Sequence, residues 1–235
     1  MSRILALTRN DVKHIFRDRT LTALFIMPVV LVLALRFGFP HLVARLPLLL
    51  DYNRVFLAFI CCLLSAFPAF IVSFIMLDEK DDGLFTVFRV MPISAMSFIL
   101  YRTALIVALG ALSSCAAMLL TGLVEPDLPR ALVTALLFGL SAPLVALIVV
   151  TVAKNKIEGV TVLKGLNLLL MLPLVSFFTS SPFKVILGVI PIYWVYQAAA
   201  EPAFGAGFLM SSAAAVALDL ACLALVYRWF RSRLF

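Results

Sequence analysis

The chain has 235 residues, of which 64% are hydrophobic and 13% charged, and its formal net charge is +7. A soluble domain is about 45–50% apolar and about 25% charged, and one as apolar as this would expose patches that aggregate. With a mean hydropathy of +1.15, the chain is neither a soluble globular enzyme nor disordered, and it reads as an all-α, polytopic membrane protein.

Residues 3–19 come first. At 100° per residue, Ile4, Leu5, Leu7, Thr8, Val12, Ile15 and Phe16 fall on one side, and Arg3, Arg9, Asn10, Lys13, His14 and Arg17 on the other. The pattern predicts a basic amphipathic helix lying on the membrane surface, either as an anchor or as a docking face. His14, on the polar face, is expected to be solvated. No small-residue cleavage site follows the first apolar run, so a cleaved signal is not expected.

Uncharged runs at 20–35, 55–77, 103–124, 131–153 and 165–183 follow, and 202–227 carries Asp219 alone. A spanning helix needs roughly 20 apolar residues. Six spans are predicted, at about 20–38, 55–77, 103–124, 131–153, 165–183 and 206–227. Arg36 is expected to snorkel from the first. The run 185–200 holds Pro191, Tyr193, Trp194 and Tyr196, and aromatics of this kind favour the interface. It is predicted to be a re-entrant or interfacial helix before the last span.

Six spans put 14 of the 19 Lys and Arg on one side and five on the other. The positive-inside rule then places both termini in the cytoplasm of a multi-pass cell-membrane protein. The basic clusters carry no interleaved aromatics, so a nucleic-acid partner is not expected. Cys61, Cys62, Cys115 and Cys222 all lie in apolar runs and read as small core hydrophobes.

Chemistry is sparse. The chain has no G-x-x-x-x-G-K-[ST], no H-E-x-x-H and no G-x-S-x-G. Asp82-Gly83 resembles the start of a lipid-headgroup transferase signature, but the later glycine and aspartates are missing. No catalytic residue, cofactor or metal ligand is assigned. Asp219, mid-span, is either a substrate-path or proton-sensitive residue or an interior group bonded to a neighbouring helix. Arg102 is expected to snorkel. Pro28, Pro68, Pro143 and Pro173 fall within spans, and Ala213–Ala215 with Ala217 offers a close helix contact. The segment 154–164, with Glu158-Gly159 as a hinge, reads equally as a partner contact or a basic topology determinant.

The most informative stretch is 77–102, LDEKDDGLFTVFRVMPISAMSFILYR. Five charges crowd into Asp78–Asp82, and Gly83 follows. Leu84, Phe85, Phe88 and Met91 then share one helical face before Pro92. A short cytoplasmic helix with aromatic knobs suits a protein groove, and the acidic run argues against an anionic leaflet as its partner.

This order, an acidic cluster, glycine, an apolar helix, Pro92-Ile93-Ser94 and then Arg102, resembles the first cytoplasmic loop of type-2 ABC export permeases. Arg17-Asp18 before the first span resembles that family's interface helix, and Pro191-Ile192-Tyr193-Trp194 its Pro-x-x-Trp re-entrant element. At Leu84–Phe88 the chain departs from the Thr-Leu-Glu of many members. The Asp-Glu-Lys-Asp-Asp, Pro-Ile-Ser and Tyr-Arg combination is similar to fluoroquinolone-export permeases.

The resemblance implies two copies of a cytoplasmic ATPase carrying ATP and Mg. They would dock on a coupling loop at 78–92 (Asp81, Asp82, Gly83, Leu84, Phe85, Phe88, Met91, Pro92) and on an interface helix with Arg9, Lys13, Arg17 and Asp18. It also implies a second permease chain, identical or similar, and a hydrophobic or amphipathic small-molecule substrate moved outward. Two other readings stay open: a proton-coupled secondary transporter using Asp219, and a non-transporting membrane assembly or sensor protein.

Overall fold

A computed structural model describes residues 11–83, 95–125, 127–179 and 182–234. Among these, the structure is helical throughout. Residues 11–17 form a helical segment. The long helices are α1 (Arg19–Arg45), α2 (Asn53–Asp81), α3 (Ala95–Leu120), α4 (Leu128–Val152) and α5 (Lys156–Met171). A short α6 (Pro191–Ala200) and a final α7 (Ala206–Leu234) follow. Six stretches are long and apolar enough to cross a membrane; α2 counts with the 3-10 turn Pro47–Tyr52, and α5 with the 3-10 turn Leu172–Phe177. Only helices and closed barrels satisfy their backbone groups inside a bilayer, and these six helices make the chain a multi-pass membrane protein.

Several helices start earlier or run longer than the uncharged stretches suggested. The fifth begins at Lys156 and not at 165, because Asn155 caps it: its Oδ1 accepts from Glu158 N at 3.0 Å. Glu158 reaches back to Lys154 N at 2.8 Å, an arrangement close to a capping box. The segment 154–164 is therefore mostly helix. The N-terminal helix likewise breaks at Asp18, whose Oδ1 accepts from Thr20 N and Leu21 N at 2.8 and 3.3 Å and so caps α1.

α2 and α4 are central. In each, 72% of the most apolar stretch is buried, against 11–28% in the other four spans. α3 packs on both, α7 packs on α4 and α6, and α1 leans on α2 and α3. Small residues set the α3–α4 contact: Gly110 and Gly139 lie face to face. Between lipid-exposed helices such close approach replaces the hydrophobic drive available in water.

Prolines 68 and 143 lie inside α2 and α4. Pro68 has no N–H for the Leu64 carbonyl. Ser113 Oγ on α3 donates to that carbonyl at 3.2 Å. One turn along, Ser114 Oγ donates to Cys61 O at 3.1 Å. The hydroxyls thus tie α3 to the stretch of α2 that precedes Pro68.

Candidate functional site: a charged bundle end beneath an apolar cleft

The chain returns to one end of the bundle at residues 11–19, 77–83, 95–102, 150–158 and 228–234. Apolar helices would leave these ends free to slide; charged residues here lock them. Arg102, in the second turn of α3, is 1% exposed. Its Nη1 lies 3.0 Å from Asp11 Oδ1, and its Nη2 lies 2.5 Å from Glu79 Oε1. Tyr101 OH donates to Asp11 Oδ2 at 2.9 Å. The Arg102 guanidinium also sits 5.1 Å from the Phe98 ring centroid. The snorkelling expectation for Arg102 is therefore wrong: α3 begins at Ala95, about two turns earlier than assumed, which carries Arg102 inside the packed end where two carboxylates hold it.

A second knot lies alongside. Lys156 Nζ reaches Asp78 Oδ2 at 2.8 Å and Asp18 Oδ2 at 3.1 Å. His14 Nε2 lies 3.6 Å from Asp78 Oδ2, so it is not simply solvated. Burial pushes the Asp18 carboxyl up, but the hydrogen bonds from Lys156, Thr20 N and Leu21 N outweigh this and hold it below the ordinary carboxylate range. Lys80 Nζ caps the end of α4, donating to Val150 O at 2.9 Å and Ala153 O at 2.7 Å.

The acidic run thus divides. Asp78, Glu79 and Lys80 turn inward, whereas Asp81 and Asp82 are exposed. Gly83 then takes φ +73°, a left-handed turn that other residues adopt at a cost. Lys13 and Arg17 are exposed, and Asp18 is half-buried. Arg9, Leu84, Phe85, Phe88, Met91 and Pro92 lie outside the described residues. No spacing or periodicity marks Asp11 or Lys156 as members of the network, because each acquires its role only from partners distant along the chain.

Directly above this end is an apolar cleft of about 370 Å³ between α1, α2 and α3. Asp11 and Ile15 close it at the charged end, and Pro28 and Pro68 stand on facing walls. At the opposite end of the bundle, an aromatic cavity of about 400 Å³ is lined by Phe39, Tyr52, Phe56, Phe59 and Phe178.

Asp219 is fully buried on α7 and lines neither cavity. Ser141 Oγ on α4 donates to its Oδ2 at 2.7 Å. Thr134 and Ser212, one heptad earlier on the same two helices, are buried too, so this parallel helix pair carries two polar layers. Pro191 opens α6, and Trp194 Nε1 donates to Gly188 O at 2.9 Å, stapling α6 to the 3-10 turn at Pro182–Val189. Among the described residues no cluster of metal-ligating side chains occurs.

Residues 11–227 match the family model described as "Fluoroquinolones export permease protein Rv2686c-like". Two proteins of Mycobacterium tuberculosis are similar to the chain: fluoroquinolones export permease protein Rv2686c of strain H37Rv and its counterpart MT2760 of strain CDC 1551. Each is 32% identical over 210 residues, covering 83% of this chain and 81% of the relative. The match begins at Asp11, the first residue of the buried charge network, and runs past Asp219. The chain belongs to the Rv2686c-like family of export permeases, within the type-2 ABC permeases that its loop motifs resemble.

Proposed function

We propose that this membrane export permease is the spanning subunit of an ATP-binding-cassette exporter. A separate cytoplasmic ATPase, in two copies, supplies ATP hydrolysis with Mg; this chain carries no nucleotide motif of its own. A second permease chain completes the pathway. The charged end faces the cytoplasm of the cell membrane, as the distribution of Lys and Arg favours. The cargo is a hydrophobic or amphipathic small molecule, and the relatives named for fluoroquinolones, which are flat aromatic amphiphiles, support that class.

One observation carries the coupling. Asp78 and Glu79 lie in the last turn of α2 and Tyr101 and Arg102 in the second turn of α3, on either side in sequence of the segment that joins the two helices. Both helix ends are clamped to the N-terminal segment through Asp11, Asp18 and His14. A push on the loop therefore reaches α1, α2, α3 and α5 together. ATP drives such a cycle by binding one conformation of the assembly better than the other. Asp219 is sealed from both cavities and bonded to Ser141, so a proton-coupled mechanism finds less support.

The test is affinity purification of the tagged chain from mild detergent. A P-loop ATPase is expected to co-purify in stoichiometric amount and to be lost from Phe85→Asp/Phe88→Asp, with the variant still folded in the membrane. Unchanged recruitment by the double variant would remove the 84–91 face as the docking site. A chain that purifies alone and transports at the expense of a proton gradient would overturn the reading.

A further inference from the structure

The apolar cleft is shaped as a site with a direction. Its back wall is α2, where Phe67, Ile71, Val72 and Ile75 are buried. Its side walls are α1 and α3, where Val29 is 60% exposed, Leu33 51% and Leu112 67%. Lining residues that are this exposed mark an opening between α1 and α3 on the lateral surface, which in a membrane-spanning bundle faces lipid. α1 is a light wall: of its 27 residues only Leu21, Val32 and Phe39 are buried. Pockets of roughly 300–1,000 Å³, apolar with a few placed polar groups, are the usual form of small-molecule sites, and this one falls in that range.

Two polar side chains line the cleft, Asp11 at its charged end and Ser113 further along α3. Asp11 belongs to a cluster in which two carboxylates, its own and that of Glu79, share one guanidinium, Arg102. Beside it Asp18 and Asp78 share Lys156. Four carboxylates thus face two cations, with His14 at the edge. Glu79 Oε2 and Arg102 Nε are both buried with no hydrogen-bond partner among the described residues, so acceptor and donor capacity are left over side by side. Pro28 adds an acceptor: lacking an N–H, it cannot close the helical bond to the carbonyl of Leu24, and both residues line the cleft. A low-dielectric cavity that ends on an excess of carboxylates concentrates its field on positive charge.

We propose that the cleft between α1 and α3 is a binding site, entered from the bilayer, for an amphipathic organic cation whose apolar body lies against α2 and whose amine is held at the Asp11 end. Calling this ligand an export substrate rests on the exporter reading above; the site itself does not. Because Asp11 is also bound to Arg102 and Tyr101, the floor of the site is part of the network that clamps the two helix ends flanking the coupling loop in sequence. Occupancy and loop position therefore act on the same residues.

The experiment uses the full chain in lipid nanodiscs and three probes that share one flat body: 1-pyrenemethylamine, 1-pyrenemethanol and 1-pyrenecarboxylate. Binding is read by pyrene fluorescence after subtraction of empty nanodiscs. The amine is expected to bind saturably and about tenfold more tightly than the alcohol, the scale of one charge-assisted contact, and the carboxylate to bind weakest. Ala116→Phe, which fills the cleft from the α3 wall, should weaken amine and alcohol alike. Asp11→Asn should remove the advantage of the amine and leave the alcohol unchanged; Val72→Phe, on the back wall and away from the charges, repeats the filling test should Asp11→Asn fail to fold. Equal binding of amine and carboxylate, or isotherms untouched by both filling variants, would overturn the site. Loss of binding in Ala116→Phe in a system without ATP-dependent export would keep the site and overturn the exporter. Intact export with unaltered binding in Ala116→Phe would do the reverse.

Discussion

Arg102 sets the terms at the scale of single residues. Removing a charge pair from the interior costs little if both partners go, but removing one strands the other, at about 3–5 kcal/mol. Arg102→Met keeps most of the side-chain volume and leaves Asp11 and Glu79 facing each other without their cation. A loss of about 3–5 kcal/mol in thermal or denaturant unfolding is expected; a variant as stable as the parent would show that the pairs are dispensable. The sequence placed Arg102 at the end of an apolar run and misjudged its burial. An arginine beside an apolar run reads as a snorkelling residue; what reverses that is the arrival of Asp11, 91 positions away, and no periodicity announces it. Asp219 shows the opposite case. Its isolation in an apolar run singled it out, and the structure supplies the partner, Ser141, that spacing alone could not.

At the scale of elements, length and charge sufficed to find six spans, because the bilayer demands long apolar helices and little else satisfies the backbone. Helix ends were harder. They are fixed by capping groups such as Asn155 and Asp18, which act through geometry and not through hydropathy. Contacts between helices were hardest. The alanines near residue 215 suggested a close approach, yet only Ala215 among Ala213, Ala214, Ala215 and Ala217 is fully buried. The tight crossing is instead at Gly110 and Gly139. A Cβ on Gly139 would stand 2.6 Å from Val107 O and 2.9 Å from Ala111 N, both backbone atoms that cannot swing away. Gly139→Ala should therefore force α3 and α4 apart and cost about 1–3 kcal/mol. Gly165→Ala, with nothing within 4 Å, is the control and should be neutral or slightly stabilising through helix propensity. Thermal unfolding of the two variants side by side decides whether crowding or glycine loss in general is at work.

For the whole molecule, the division of labour follows from where charge is permitted. The spans are apolar, and the directed contacts between them, from Ser113 and Ser114 to α2 and from Ser141 to Asp219, are single hydroxyl bonds. At the charged end, directed contacts join the N-terminal segment, α2, α3 and α5, and the segment with the motif that resembles the family's lies in sequence between α2 and α3. Lys156 joins α5 to this end through Asp18 and Asp78, and it is 35% exposed, its partners 29% and 26%. Ion pairs so open to solvent contribute at most about 1 kcal/mol. Their value lies in registering α5 against the N-terminal segment and the end of α2, not in stability. Lys156→Met separates these two roles. The unfolding free energy should change by no more than about 1 kcal/mol, the ATPase should still co-purify, and ATP-dependent efflux should fall, because α5 no longer follows the loop. If efflux is unchanged, the network is a static lock and the loop must act on the bundle through α2 and α3 alone. If stability collapses instead, Lys156 is a structural support, and the assignment of the charged end as a transmission element loses its most exposed and most testable link.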